Sequence, residues 1–126
     1  MQQSFVVMVA VWLEIAVGAI LLMAPDVPCL LLFAAKPEGI GMPLARFAGV
    51  ALIALGIACL PSSSAGSRGS AVRGLFAFNV GVVVLFTWMG AATVNRGLLL
   101  WPAAILHAVI AAALMPQLLI QDSSVV

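Results

Sequence analysis

Charge is what this sequence has least of. Acidic and basic side chains make up 7% of its 126 residues, where an ordinary soluble domain carries roughly 25%. Apolar residues make up 65%. So few charges cannot cover a globule of this size, which excludes a soluble monomer and leaves an integral membrane protein. Five basic against four acidic residues give +1, removing the electrostatic case for nucleic-acid binding. Tyrosine is absent and histidine occurs once. One histidine cannot make a bis-histidine haem site and is too few for a histidine-rich metal site. The six methionines leave His107–Met ligation as the one haem arrangement that is formally open. The two cysteines, Cys29 and Cys59, form no Cys-x-x-Cys, so a dithiol redox centre is missing. The apolar runs hold no lysine for a Schiff base. No glycine-rich phosphate loop, Ser/His/Asp set or carboxylate pair at one depth is present. No cofactor and no metal is predicted.

What is there is a set of long apolar runs. A span needs about 20 mostly apolar residues at 1.5 Å rise each. Residues 5–24 meet this with Glu14 as the one interruption, and Pro25 and Pro28 stop the helix. Residues 44–60 follow, with Pro43 placed for a first helical turn and Pro61 as the stop. Residues 74–94 form the third span, interrupted by Asn79. Residues 98–120 form the fourth, containing His107. Met1 to Ser4 carry no basic side chain and the first run is too long for a signal-peptide core. It is therefore expected to stay in the mature protein. Cys29 lacks the small residues that would precede a lipidated cysteine. The expected fold is all-α: a single membrane domain, a four-helix bundle of two antiparallel hairpins.

The connections add detail. Pro61 to Ser70 is low-complexity and polar, and reads as a flexible loop. Asn95, Arg96 and Gly97 read as a tight turn, making the third and fourth spans antiparallel neighbours. The apolar run 27–35 is too short to span. It reads as a helix lying in the interface or as a re-entrant segment, closed by Lys36 to Gly39. An even number of spans puts both termini on one side. The purely cationic loop with Arg68 and Arg73 favours the cytoplasm, by the excess of Lys and Arg in cytoplasmic loops. Cys29 and Cys59 fall at opposite faces, roughly 30 Å apart, too far for a disulfide. Cys59-Leu60-Pro61 and Leu114-Met115-Pro116 are expected to end the second and fourth helices alike.

Ionisable groups inside a membrane are costly and usually face the bundle interior. Glu14 shares its helical face with Ala10 and Gly18, and small residues mark helix contact in membranes. His107 shares its face with Ala103, Ala104, Ala108 and Ala111. Both lie roughly 15 Å deep, so the two could meet. Arg46 either snorkels outward to the headgroups or folds inward towards Glu14. The bulky face around Asn79, with Phe76, Val82, Val83 and Phe86, favours an interhelical hydrogen bond over a ligand contact. Gly74, Ala77 and Gly81 form a small stripe nearly opposite Asn79. One of these two faces is expected to contact protein beyond the neighbouring fourth span. Trp101 fits an interfacial anchor; Trp12 and Trp88 are expected to fill the bundle, or else to line a cavity.

Pro43 to Gly49, Arg73-Gly74-Leu75, and Leu100 to His107 give the chain a resemblance, over most of its length, to the DoxX-like and similar four-helix membrane proteins of bacteria. The resemblance implies a compact bundle in the bacterial inner membrane, often linked to respiratory or quinone-associated systems. Glu14 also resembles the carboxylate midway along the first helix of the small multidrug resistance transporters. Those rely on aromatic residues including tyrosine around it, and this chain has no tyrosine.

Three functional readings follow. The first is a non-catalytic accessory or structural subunit, in contact with the bilayer and with other membrane subunits or copies of itself. The second is a small carrier or binder of a lipophilic ligand, a quinone or lipophilic cation, using Glu14 with His107, and Arg46 and Asn79 as further candidates. The third, an enzyme on a lipid substrate, needs Glu14 and His107 as acid and base and finds no other part of a catalytic site.

Overall fold

The computed structural model describes residues 2–60, 65–94 and 96–122. Among them the regular elements are five helices: α1 (Gln2–Met23), α2 (Asp26–Phe33), α3 (Gly41–Ala58), α4 (Ala65–Ala92) and α5 (Leu100–Asp122). Four are long and apolar enough to cross a membrane: Phe5–Met23, Gly41–Ala58, Gly69–Ala92 and Leu100–Leu119. The all-α bundle is therefore present.

The first hairpin is α1 with α3, and glycines set its spacing. A Cβ on Gly18 would lie 2.7 Å from the Gly49 carbonyl oxygen, and one on Gly49 2.6 Å from that of Gly18. Further along, Gly56 meets the Ile15 side chain and the Val11 carbonyl. Rising numbers on α1 meet falling numbers on α3, so the helices are antiparallel. Membrane helices gain no hydrophobic drive from pairing, so close backbone approach over small residues supplies the attraction by dispersion.

The second hairpin is α4 with α5. It closes where the Trp101 ring covers Gly90; a Cβ there would lie 2.7 Å from Cζ2. Each hairpin is far more tightly engaged internally than with the other. They meet through one apolar cluster: Val7, Ala10 and Val11 of α1, Cys59 after α3, Val72 and Leu75 of α4, Ile110 and Leu114 of α5.

The short run after the first span is a helix, α2, ending in Ala34 with a left-handed φ of 53°. Its last carbonyls would be orphaned. Instead Leu31 and Leu32 accept hydrogen bonds from the Leu99 (2.8 Å) and Gly97 (3.0 Å) amides of the α4–α5 connection. A Cβ on Gly97 would run into the Leu31 carbonyl oxygen, so only glycine permits this docking. Lys36 and Asp26 form an exposed ion pair at 3.8 Å.

Three expectations need correction. Helix α4 begins at Ala65, inside the segment read as a flexible loop. Extending an existing helix costs little beside nucleating one, and no proline follows Pro61 there. The Pro61 stop and the three following serines lie outside the described residues, as does Asn95 of the expected turn. Helix α5 runs through Pro116 to Asp122, so the end expected at Leu114-Met115-Pro116 is absent. Pro116 lacks only one amide hydrogen bond, and the chain absorbs it. Trp12 (57% exposed) and Trp88 (65% exposed) point outward rather than filling the bundle. Bulky apolar side chains suit lipid as well as protein, whereas the small residues sit where helices approach. Of the two faces of α4 that the sequence sets against each other, Gly74 and Gly81 have nothing within 4 Å of a Cβ, and within the described bundle the face that touches protein is that of Asn79.

Candidate functional site

Among the described residues the buried polar side chains are Glu14 (2% exposed), Asn79 (0%) and Gln117 (7%). Helical periodicity places each of them. Glu14 stands on α1 one turn beyond Ala10 and Val11, both fully buried. Gln117 continues the inward face of α5 that begins with His107, Ile110 and Leu114. Asn79 stands one turn after Leu75, which is also fully buried.

Asn79 and His107 are brought together. Asn79 Nδ2 donates to the Leu75 carbonyl at 2.7 Å, and Asn79 Oδ1 lies 2.7 Å from His107 Nδ1. The first bond fixes the amide: turned over, it would set oxygen against oxygen at Leu75. Oδ1 is therefore the acceptor, and His107 Nδ1–H is the donor. The imidazole also lies between two aromatic rings of α4. The Phe78 and Phe86 centroids are 6.0 and 6.2 Å from it, at interplanar angles of 75° and 84°. Phe86 meets Phe33 of α2 edge-on at 6.1 Å. The interhelical hydrogen bond favoured for Asn79 is thus present, with His107 as its partner.

Glu14 and His107 are not joined by a hydrogen bond or ion pair. Glu14 faces the interior as its small-residue stripe implied, but its Oε1 is buried with no hydrogen-bond partner among the described residues. The Cys59 thiol lies close enough to feel its charge. Arg46 is exposed and does not fold inward. The expected Glu14/His107 and Glu14/Arg46 pairings are corrected accordingly. Equal depth along the two spans would permit the first pairing, but Asn79 on the adjacent helix is the partner the imidazole takes.

Cys29 and Cys59 are both free and buried. Burial pushes the Cys29 thiol above its ordinary range, and the nearby Asp26 carboxylate adds to this. Among the described residues no three His, Cys, Asp or Glu side chains are grouped to hold a metal. The sequence reading does not single out Gln117, and it gives Gly97 a place in a tight turn but no docking role. The first was legible from the spacing 107, 110, 114, 117; the second depends on α2 folding back, which no local pattern announces.

A groove of about 270 Å³ runs along one side of the second hairpin, lined by Phe76, Val80, Val83, Ala108, Ala111 and Met115 among others. All its lining residues are apolar. Comparison of the chain with protein-family models, with curated proteins and with solved structures finds no match.

Proposed function

We propose that this chain is a non-catalytic accessory or structural subunit, working by helix association within the bilayer. One observation carries the reading. Four glycines of the described spans use the missing side chain for close approach, Gly18, Gly49 and Gly56 between α1 and α3 and Gly90 beneath Trp101, while Gly41 meets Pro37 at an ordinary 3.6 Å. Gly74 and Gly81 have nothing within 4 Å of a Cβ, and Ala77 between them is exposed. A small stripe open to the membrane is the kind of surface on which another helix packs closely. The DoxX-like resemblance, with its compact bundles in membrane systems, supports the same reading. The acid–base pair that a carrier or lipid enzyme would need is not assembled, since His107 is engaged by Asn79.

The test is co-migration from native membranes in mild detergent. The parent chain is expected in a larger assembly. Gly81→Leu has room to be accommodated by the bundle, and should release the chain without unfolding it. A parent that migrates alone, or a variant as fully assembled as the parent, would remove this function.

A further inference from the structure

We propose that His107, oriented by Asn79, presents Nε2 as a hydrogen-bond acceptor for a membrane-soluble aromatic ligand bearing a hydroxyl group. This goes beyond helix association and stands on different residues. The argument begins with the tautomer. Asn79 Oδ1 can only accept, because its amide nitrogen is committed to the Leu75 carbonyl at 2.7 Å. The proton of the neutral imidazole must therefore sit on Nδ1, 2.7 Å from that oxygen. Nε2 is left with its lone pair. Among the described residues it makes no hydrogen bond, and the side chain is only half-buried.

An oriented acceptor at this depth has no water to satisfy it, and an unmet polar group in hydrocarbon is costly. A hydroxyl donor arriving from the lipid phase removes that cost. The surroundings define the rest of the ligand. Phe78 and Phe86 flank the imidazole at 6.0 and 6.2 Å, nearly perpendicular to it. Phe33 extends the wall from α2, 6.1 Å from Phe86. Phe33 and Phe78 are half-buried, like His107 itself. Ring edges and faces of this kind favour a planar aromatic body. No charged side chain of the described residues makes an ion pair or hydrogen bond here, so the ligand is neutral.

The chain has a single histidine, so labelling histidine with the NMR-active nitrogen isotope reports this ring alone. The protein is placed in lipid nanodiscs at mildly alkaline pH and titrated with naphthol. Methoxynaphthalene, which keeps the rings and loses the donor, is the control. The free protein should show the proton on Nδ1. Naphthol should shift the Nε2 resonance saturably, and methoxynaphthalene should bind about tenfold more weakly, the worth of one hydrogen bond. Asn79→Leu should let the ring exchange tautomers and weaken naphthol to a similar degree. A proton on Nε2 in the free parent protein would overturn the proposal. So would indistinguishable titrations with naphthol and methoxynaphthalene, and both measurements stand whether or not the variant folds.

Discussion

The α1–α3 seam permits a stability prediction with an internal control. Gly18→Ala adds one carbon where the nearest atoms are the Gly49 oxygen at 2.7 Å, Ile53 Cγ1 at 2.9 Å and the Ile53 nitrogen at 3.0 Å. Two of the three belong to the facing backbone and cannot rotate away. Carbon atoms in ordinary contact are about 3.5 Å apart, so the helices must separate by roughly 0.5–0.8 Å, the shortfall against that spacing. A gap of that size forfeits a quarter to a half of the dispersion in each contact it opens. Summed over the atom pairs of a tight helix seam, this costs about 1–3 kcal/mol. Against it stands the better helix propensity of alanine, about 1 kcal/mol over glycine. In the chain dissociated from any partner, Gly81→Ala measures that gain alone, because nothing within the bundle lies within 4 Å of its Cβ. Reversible unfolding in mixed micelles should therefore find Gly81→Ala neutral or stabilised and Gly18→Ala clearly less stable than it. Combining Gly18→Ala with Gly49→Ala should cost less than the two separately, since one displacement relieves both clashes. Equal stability of Gly18→Ala and Gly81→Ala would refute the close approach on which this reasoning depends.

Two further outcomes follow from the docking of α2 and from the orphaned carboxyl. Gly97→Val should drive a side chain into the Leu31 and Leu32 carbonyls, lying 2.5 Å from their carbons, and undock α2. In a Cys59→Ala background, maleimide should then alkylate buried Cys29 about tenfold faster, as expected for about 1.4 kcal/mol of lost protection; an unchanged rate would mean that the helix holds without this contact. Glu14→Met should stabilise the bundle by about 1–3 kcal/mol, because it removes a buried acceptor that has no partner at Oε1 and keeps a similar volume. A loss of stability on chemical unfolding would show that the carboxyl is held by something the bundle needs.

Much of this architecture was legible because lipid simplifies the code. A run such as 5–24 has to span or be buried, and Pro25 and Pro28 have to end it. The inward face of α1 could be read from Ala10, Glu14 and Gly18, since small and polar residues belong where helices meet. Partner choice was not legible in the same way. Depth placed Glu14 and His107 at one level, but the imidazole bonds to Asn79 on its hairpin neighbour. Spacing along one helix says nothing about which adjacent helix a side chain reaches. The tryptophans were misread for a related reason: in a soluble core a ring of that size goes inside, while here Trp12 and Trp88 are exposed. The start of α4 was obscured by composition, because Gly66, Ser67, Gly69 and Ser70 read as coil until a long apolar helix extends backward through them.

The two hairpins are held by different devices, and this sets how the bundle can come apart. Helices α1 and α3 rely on backbone approach over Gly18, Gly49 and Gly56, an attraction that is short-ranged and lost with small displacements. Helices α4 and α5 share the Asn79–His107 hydrogen bond and the aromatic edges around it, which tolerate small shifts of the axes. Between the hairpins lies mostly aliphatic contact, which lipid tails replace at little cost. What distinguishes the joined arrangement from two hairpins adrift in lipid is the pair of amide bonds from Gly97 and Leu99 to α2. Helix α2 follows α1 directly through Ala24 and Pro25, so these bonds tie the end of the first span to the start of the fourth. A perturbation that parts α1 from α3 should therefore leave His107 in place. One that frees α2 should loosen the contact between hairpins, and with it the enclosure of Glu14.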